Sequence, residues 1–196
     1  MNKNQESYFE TIKCEDFEVF NLEYHKKRIS KTVGVNFNLQ EYIYPPSTKL
    51  LKCKVTYTQN EIINIKYDEY IKKDIKSFKL VYDDNILYSK KSINRHDINN
   101  LNLQKKDCDE IIIIKNNLIT DTSIANIAIY YNNQWLCTKK PLLEGTTMKR
   151  LINDGILKEN NITVDMLKKS SKIALMNAMI DFDIITNFKL KDSNDK

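Results

Sequence analysis

Three places in this chain hold residue types with a chemical use beyond structure. Gly145-Thr146-Thr147 stands just ahead of an amphipathic segment. A glycine and two threonines at the start of a helix form a ready anion site, because free backbone N–H groups and the positive dipole end face outward and two hydroxyls add donors. An ordinary threonine N-cap accounts for the same three residues. Lys91, in "YSKKSINR", carries an amine suited to nucleophilic and proton-transfer chemistry, but it is one lysine among many and Lys90 stands beside it. Asp121, in "LITDTSIANI", is a carboxylate between two extended segments, where a turn residue is the default. Metal chemistry is not expected: Cys14, Cys53, Cys108 and Cys137 have no ligand or redox spacing, and His25 and His96 are far apart.

The elements that must position these groups read as follows. Tyr8 to Phe20 gives two short strands, "YFETIKC" and "EVFNL", around the acidic turn Glu15-Asp16. "EYHKKRISKTVG" reads as a helix stopped by Gly34. Leu51–Tyr57 and Glu61–Tyr67 form a hairpin around Gln59-Asn60. These make a small α+β domain over residues 1–70, with 71–78 as a linker and 79–196 as a second domain. Glu110–Lys115 has the continuous aliphatic run of a strand buried on both faces, and Ile124–Tyr131 pairs with Gln134–Thr138 across Asn132-Asn133. A helix follows Gly145, with Met148, Leu151 and Ile152 on one face and Gly155 at its left-handed end, and Thr163 begins another. "KIALMNAMIDF" returns to strand and loop, and the tail after Phe188 is expected to fray.

Set in chain order, the strings stop being generic. "YFETI", "NLEYHKKRISKT", "KSINR", "LITDTSIANIAIY", "PLLEGTTMKRLINDGIL" and "IALMNAMIDF" resemble the class IV, or D-amino-acid aminotransferase-like, pyridoxal-phosphate enzymes from about Tyr8 to Phe182. The resemblance implies a two-domain α+β fold, with a reduced N-terminal α+β domain and a C-terminal α/β barrel-like domain. It implies pyridoxal 5'-phosphate as cofactor, with Lys91 holding it covalently and then moving the substrate proton. Asp121 stands where the family has a glutamate on the pyridine nitrogen. Arg28 matches the arginine that pairs with the cofactor phosphate, and Thr146 and Thr147 match the threonine cradle of that phosphate. Asn177 and Ala178 match a loop that lines the phosphate and substrate-carboxylate end. Met148 follows the threonines where many relatives have arginine. Familiar members of the family are longer, with the lysine deeper in the chain.

The Lys-x-x-Asn-Arg string at Lys91 resembles the lyase branch most, which implies 4-amino-4-deoxychorismate lyase, releasing pyruvate and giving 4-aminobenzoate for folate. A branched-chain or D-amino-acid transaminase is the alternative, and a non-catalytic cofactor-binding scaffold the third reading. A homodimer acting on an amino-acid-like small molecule is implied as well. Composition is consistent with this. With 41% apolar and 29% charged residues the chain is neither disordered nor membranous, and 3 glycines are too few for a Gly-rich dinucleotide fold. The net charge of +5 is spread among acids rather than gathered on one face, so no nucleic-acid partner is expected. "MNKNQESYFE" has no apolar stretch, so neither a secretory signal nor a membrane anchor is expected there, and the protein is expected to be cytoplasmic.

Overall fold

A computed structural model describes residues 6–192. The chain divides into two compact units. One runs up to Lys72 and takes back Lys90–Asn94; the other comprises Lys73–Ser89 and everything from Arg95 on.

In the first unit, β1 (Tyr8–Glu15) and β2 (Glu18–Val19) form a hairpin whose turn, Asp16-Phe17, has both φ angles positive. That twist matches the right-handed twist of the strands. Helix α1 (Leu22–Val33) ends at Gly34, whose φ of 76° lets its N–H reach Ser30 O. β3 (Leu51–Tyr57) and β4 (Ile62–Glu69) complete an antiparallel sheet of order β2-β1-β3-β4. Tyr8, Ile12 and Cys14 of β1 alternate inward with Leu51, Cys53, Val55 and Tyr57 of β3 and pack with Ile29 of α1 in one core.

The second unit contains β5 (Ser77–Tyr82), α2 (His96–Leu103), β6 (Glu110–Lys115), β7 (Leu118–Thr122), β8 (Asn126–Tyr131) and β9 (Gln134–Thr138). These are followed by α3 (Thr146–Asn153), β10 (Lys158–Asn160), α4 (Val164–Lys169), β11 (Lys172–Asn177), β12 (Asp181–Ile185) and β13 (Lys189–Lys191). The sheet order is β10-β9-β8-β7-β6-β5-β13, and it branches at β8, which also pairs with β11 and, through it, β12. The branch lets β8 carry β9 and β11 on its two sides in a mixed α/β unit. Strand β6 is buried on both faces: Ile112 and Ile114 enter one hydrophobic core and Ile111 and Ile113 enter another with Ile98 and Leu101 of α2.

The units differ from the expected 1–70, 71–78 and 79–196 partition in two respects. Residues 71–78 include the start of β5, because Ser77 N–H and its hydroxyl bond the Asp109 carboxylate and Phe78 pairs with Glu110. Lys91, expected in the second domain, belongs to the first unit. Its carbonyl accepts from Phe9 N at 2.9 Å, Ile93 N donates to Ser7 O at 3.0 Å, and Ser92 bridges Tyr8 in antiparallel fashion. The segment after Phe188 does not fray through Lys191: β13 pairs with β5 in parallel, and its Leu190 packs on the core. The last residues of that tail, 193–196, lie outside the described residues. Among the described residues no helix is long and apolar enough to cross a membrane.

Candidate active site

The first unit positions Arg28 and Lys91. Leu22 to Val33 form a helix in which His25 and Arg28, three residues apart, share a face. That face meets Glu10, which lies on the inward phase of β1 and is fully buried. Arg28 Nε donates to Glu10 Oε1 at 2.9 Å and Arg28 Nη2 to Oε2; His25 Nδ1 reaches Oε2 at 2.6 Å. Burial alone would raise the Glu10 pKa, but the Arg28 charge and the His25 hydrogen bond outweigh it and hold the carboxyl at about 2. Glu10 is therefore a carboxylate that only accepts, so the His25 proton sits on Nδ1. Burial pushes the His25 pKa down; the Glu10 contact opposes this, and the Arg28 and Lys91 charges add to it. His25 Nε2 is buried and has no hydrogen-bond partner among the described residues.

Lys91 is half-buried, with its Nζ 4.8 Å from the centroid of Phe9, the residue before Glu10. Lys90 is exposed, and its Nζ lies 5.4 Å from the Tyr8 ring centroid. The two lysines thus have different neighbours, and Lys91 has the more enclosed setting. The Nε–Nη2 edge of Arg28, the natural bidentate face, is taken by Glu10. The phosphate pairing that the resemblance implies for this arginine therefore does not have that edge to itself.

The second unit gathers the other predicted residues at one end of β7, β8 and β11. Asp121 is opposite Asn126, and Asn126 is opposite Met176, the neighbour of Asn177. Asp121 is 5% exposed. Its Oδ1 accepts from Asn126 Nδ2 at 2.6 Å and its Oδ2 from Leu143 N at 3.0 Å. Burial lifts its pKa to about 7, even with those two donors and the Leu142 backbone favouring the charged form. Leu143 leads through Gly145 into α3, whose first residues Thr146 and Thr147 are buried. No side chain caps this helix and no acid stands in its first turn. Thr147 Oγ1 is buried without a hydrogen-bond partner among the described residues. By contrast, α4 is capped by Thr163 Oγ1, which accepts from Met166 N, and has Asp165 in its first turn. The start of α3 therefore keeps a positive dipole end and an unused hydroxyl, which together suit an anionic group.

Asn177 and Ala178 are half-buried. Asn177 Oδ1 accepts from Met179 N and Ile180 N, and its Nδ2 donates to Ile124 O at 3.3 Å, so the side chain shapes its own turn and the 122–125 loop. Arg95 holds the same loop, donating from Nη2 to Ser123 O at 2.7 Å while its guanidinium lies over Tyr88. Met148 is buried among the apolar residues under α3, which explains why an arginine is absent there.

Glu10, His25 and Asn126 were not among the predicted site residues. The signals for them were present: an acid on the inward phase of an otherwise apolar strand, a histidine one helical turn before Arg28, and an asparagine opening the strand after Asp121.

Residues 61–187 match the model of the family described as Amino-transferase class IV. An uncharacterized protein of Haemophilus influenzae is 34% identical over 182 residues, covering 87% of this chain and 96% of that protein. The solved structure of a candidate 4-amino-4-deoxychorismate lyase from Haemophilus somnus 129pt is similar at 32% identity and a TM-score of 0.81, covering 89% of this chain and 97% of that one. A hypothetical aminotransferase of Mycobacterium tuberculosis, in a PLP-bound form, shares the fold at 13% identity and a TM-score of 0.75, covering 95% of this chain and 81% of its own.

Proposed function

We propose that this chain, which belongs to the Amino-transferase class IV family, is a pyridoxal 5'-phosphate enzyme acting as a 4-amino-4-deoxychorismate lyase. The observation that carries the cofactor reading is the Thr147 hydroxyl, buried and unpartnered at an uncapped helix start. That is a place for a phosphate oxygen, and it belongs to the same unit as the buried carboxylate of Asp121. Thr146 and Thr147 would hold the phosphate, Asp121 the ring nitrogen, and Lys91 the covalent link. Arg28 would support the phosphate only through N–H groups other than its Glu10-facing edge.

When bound, the ring supplies an electron sink for the pair released as the substrate Cα–H bond breaks. The chain's own residues do the rest. Asp121, whose pKa burial lifts to about 7 in the chain alone, would face a protonated ring nitrogen as a carboxylate and hold that proton in place. Lys91 Nζ would take the α-proton, the pair left behind would expel the enolpyruvyl oxygen from the ring carbon, and the proton passed on to the departing enolpyruvate would make it pyruvate. Pyruvate leaves and 4-aminobenzoate remains, with no acceptor keto acid consumed. The lyase assignment over a transaminase is supported by the likeness to the Haemophilus somnus protein across nearly its whole length and by the Lys91-x-x-Asn94-Arg95 string. The family resemblance also implies a homodimer, which sedimentation of the purified protein checks.

The test begins with the visible spectrum of purified protein and added cofactor, before and after borohydride. Borohydride is expected to fix the cofactor to the Lys91 peptide, in wild type and in Lys90→Ala but not in Lys91→Ala. Pyruvate release from 4-amino-4-deoxychorismate without an acceptor is then expected. An absolute need for 2-oxoglutarate would replace the lyase reading with the transaminase, and no fixation in folded protein would leave a scaffold.

A further inference from the structure

Asn126 sits where three parts of the second unit meet. Its Nδ2 donates to Asp121 Oδ1 at 2.6 Å and to the Leu143 carbonyl at 2.9 Å. Leu143 N closes the ring by donating to Asp121 Oδ2 at 3.0 Å. Strands β7 and β8 share one register pair, and it is Asp121 with Asn126. Asn126 Oδ1 also fixes its surroundings: a Cβ built on Gly145 would lie 1.9 Å from Oδ1 and 3.1 Å from Cγ. Gly145 has φ −72° and ψ 142°, an extended backbone open to any residue, so close approach and not conformation requires glycine there. The next residue is Thr146, the first of α3.

We propose that Asn126 is a positioning residue whose amide sets the Asp121 carboxylate and the Leu143–Gly145 lead-in to α3 as a single unit, with Gly145 leaving the room that amide needs. One side chain then fixes the distance between the acid for a ring nitrogen and the threonines for a phosphate. Among the described residues no ion pair orients Asp121, so its direction depends on the Asn126 amide, the Leu143 N–H that Asn126 also holds in place, and the Leu142 backbone. The consequence for the cofactor rests on the function proposed above; the lock itself is a property of the chain without cofactor.

The experiment follows Asp121 by carboxyl-carbon NMR titration of cofactor-free protein, for wild type, Asn126→Ala, Gly145→Ala and the double variant. In Asn126→Ala the Asp121 midpoint is expected to rise by about one pH unit or more, because a donor to the charged form is lost. Gly145→Ala keeps Asp121 and Asn126 but displaces the amide, so the midpoint shifts the same way. In the double variant the added methyl meets no amide, so Gly145→Ala adds little to the shift, a non-additive result. The dissociation constant for pyridoxal 5'-phosphate should rise about tenfold in each single variant, as one hydrogen bond's worth of placement is lost, and no further in the double. A packing role alone would lower the melting temperature and leave the midpoint within about 0.2 pH unit of wild type; that result, or additive shifts, overturns the proposal. If Asn126→Ala does not fold, Gly145→Ala carries the same test. Absent cofactor binding in wild type would sink the functional reading, while the titrations would still decide the lock.

Discussion

Glu10 and Arg28 face each other as a two-point ion pair inside the first unit, with Nε on Oε1 at 2.9 Å and Nη2 on Oε2. The Glu10 side chain is fully buried and that of Arg28 is 12% exposed. Removing two charges from water costs as much as their attraction returns, so such a pair is better evidence for fixed geometry than for added stability. Breaking it from one side is a different matter. Glu10→Gln preserves shape but removes the Glu10 charge from beside the buried guanidinium, and about 3–5 kcal/mol of unfolding free energy should be lost. Urea denaturation at pH 7 reads this directly; a loss below about 1 kcal/mol would mean that solvent compensates Arg28.

The same pair sets the acid limb of stability. Glu10 is held at about 2 against an ordinary 4.5, so its contribution is complete above pH 4.5 and disappears as pH falls toward 2. The size is about 3 kcal/mol. His25 adds to the loss from higher pH, because its folded pKa lies below 6.5 and the unfolded chain takes up the proton first. With the opposing Asp121 slope removed by Asp121→Asn, chemical denaturation across pH 2 to 7 should therefore show stability falling below neutrality. In His25→Gln the part of the slope near pH 6 should vanish, and its persistence would exclude His25 as the source.

Asp121 works in the opposite direction. Its folded pKa of about 7 exceeds the ordinary 3.8, so its contribution is present below pH 3.8 and is lost as pH rises through 7. In cofactor-free protein this amounts to about 4 kcal/mol between those limits. Asp121→Asn should flatten the pH dependence over that window, whatever its effect on absolute stability. A wild-type curve with no decline from pH 4 to 7, after the Glu10 and His25 slopes are accounted for, would show that the carboxyl is charged without cofactor.

Much of this arrangement was legible in the chain. The helix that carries Arg28 was marked by its periodicity and by Gly34, the double-faced strand β6 by four consecutive isoleucines, and the β8–β9 turn by Asn132-Asn133, both with positive φ. Asn116-Asn117 repeats that turn signal between β6 and β7, and both residues again have positive φ. Strands β5 and β13 were hidden because alternating lysines make "SFKLV" and "KLK" look like solvated connections, whereas pairing on a sheet buries Phe78 and Leu80. For the site, composition and spacing supplied Thr146, Thr147 and Asp121 as chemically able groups. What they could not supply was partnership. That Arg28 gives its fork to Glu10, or that Gly145 yields to Asn126, depends on strands brought together from distant positions.

Thr147 offers a separation of fold from function. Its Oγ1 is buried without a partner, so the folded chain already bears the cost of desolvating it. Thr147→Val keeps the shape and removes that hydroxyl, and the melting temperature of cofactor-free protein should stay level or rise. The dissociation constant for pyridoxal 5'-phosphate should increase about tenfold, the value of one hydrogen bond to a charged group. Pyridoxal lacks the phosphate and should bind both proteins alike. Parallel titrations with the two ligands decide the matter. A loss for pyridoxal equal to that for its phosphate would place the hydroxyl away from the phosphate, and a drop in melting temperature would mean that Oγ1 holds a structural contact.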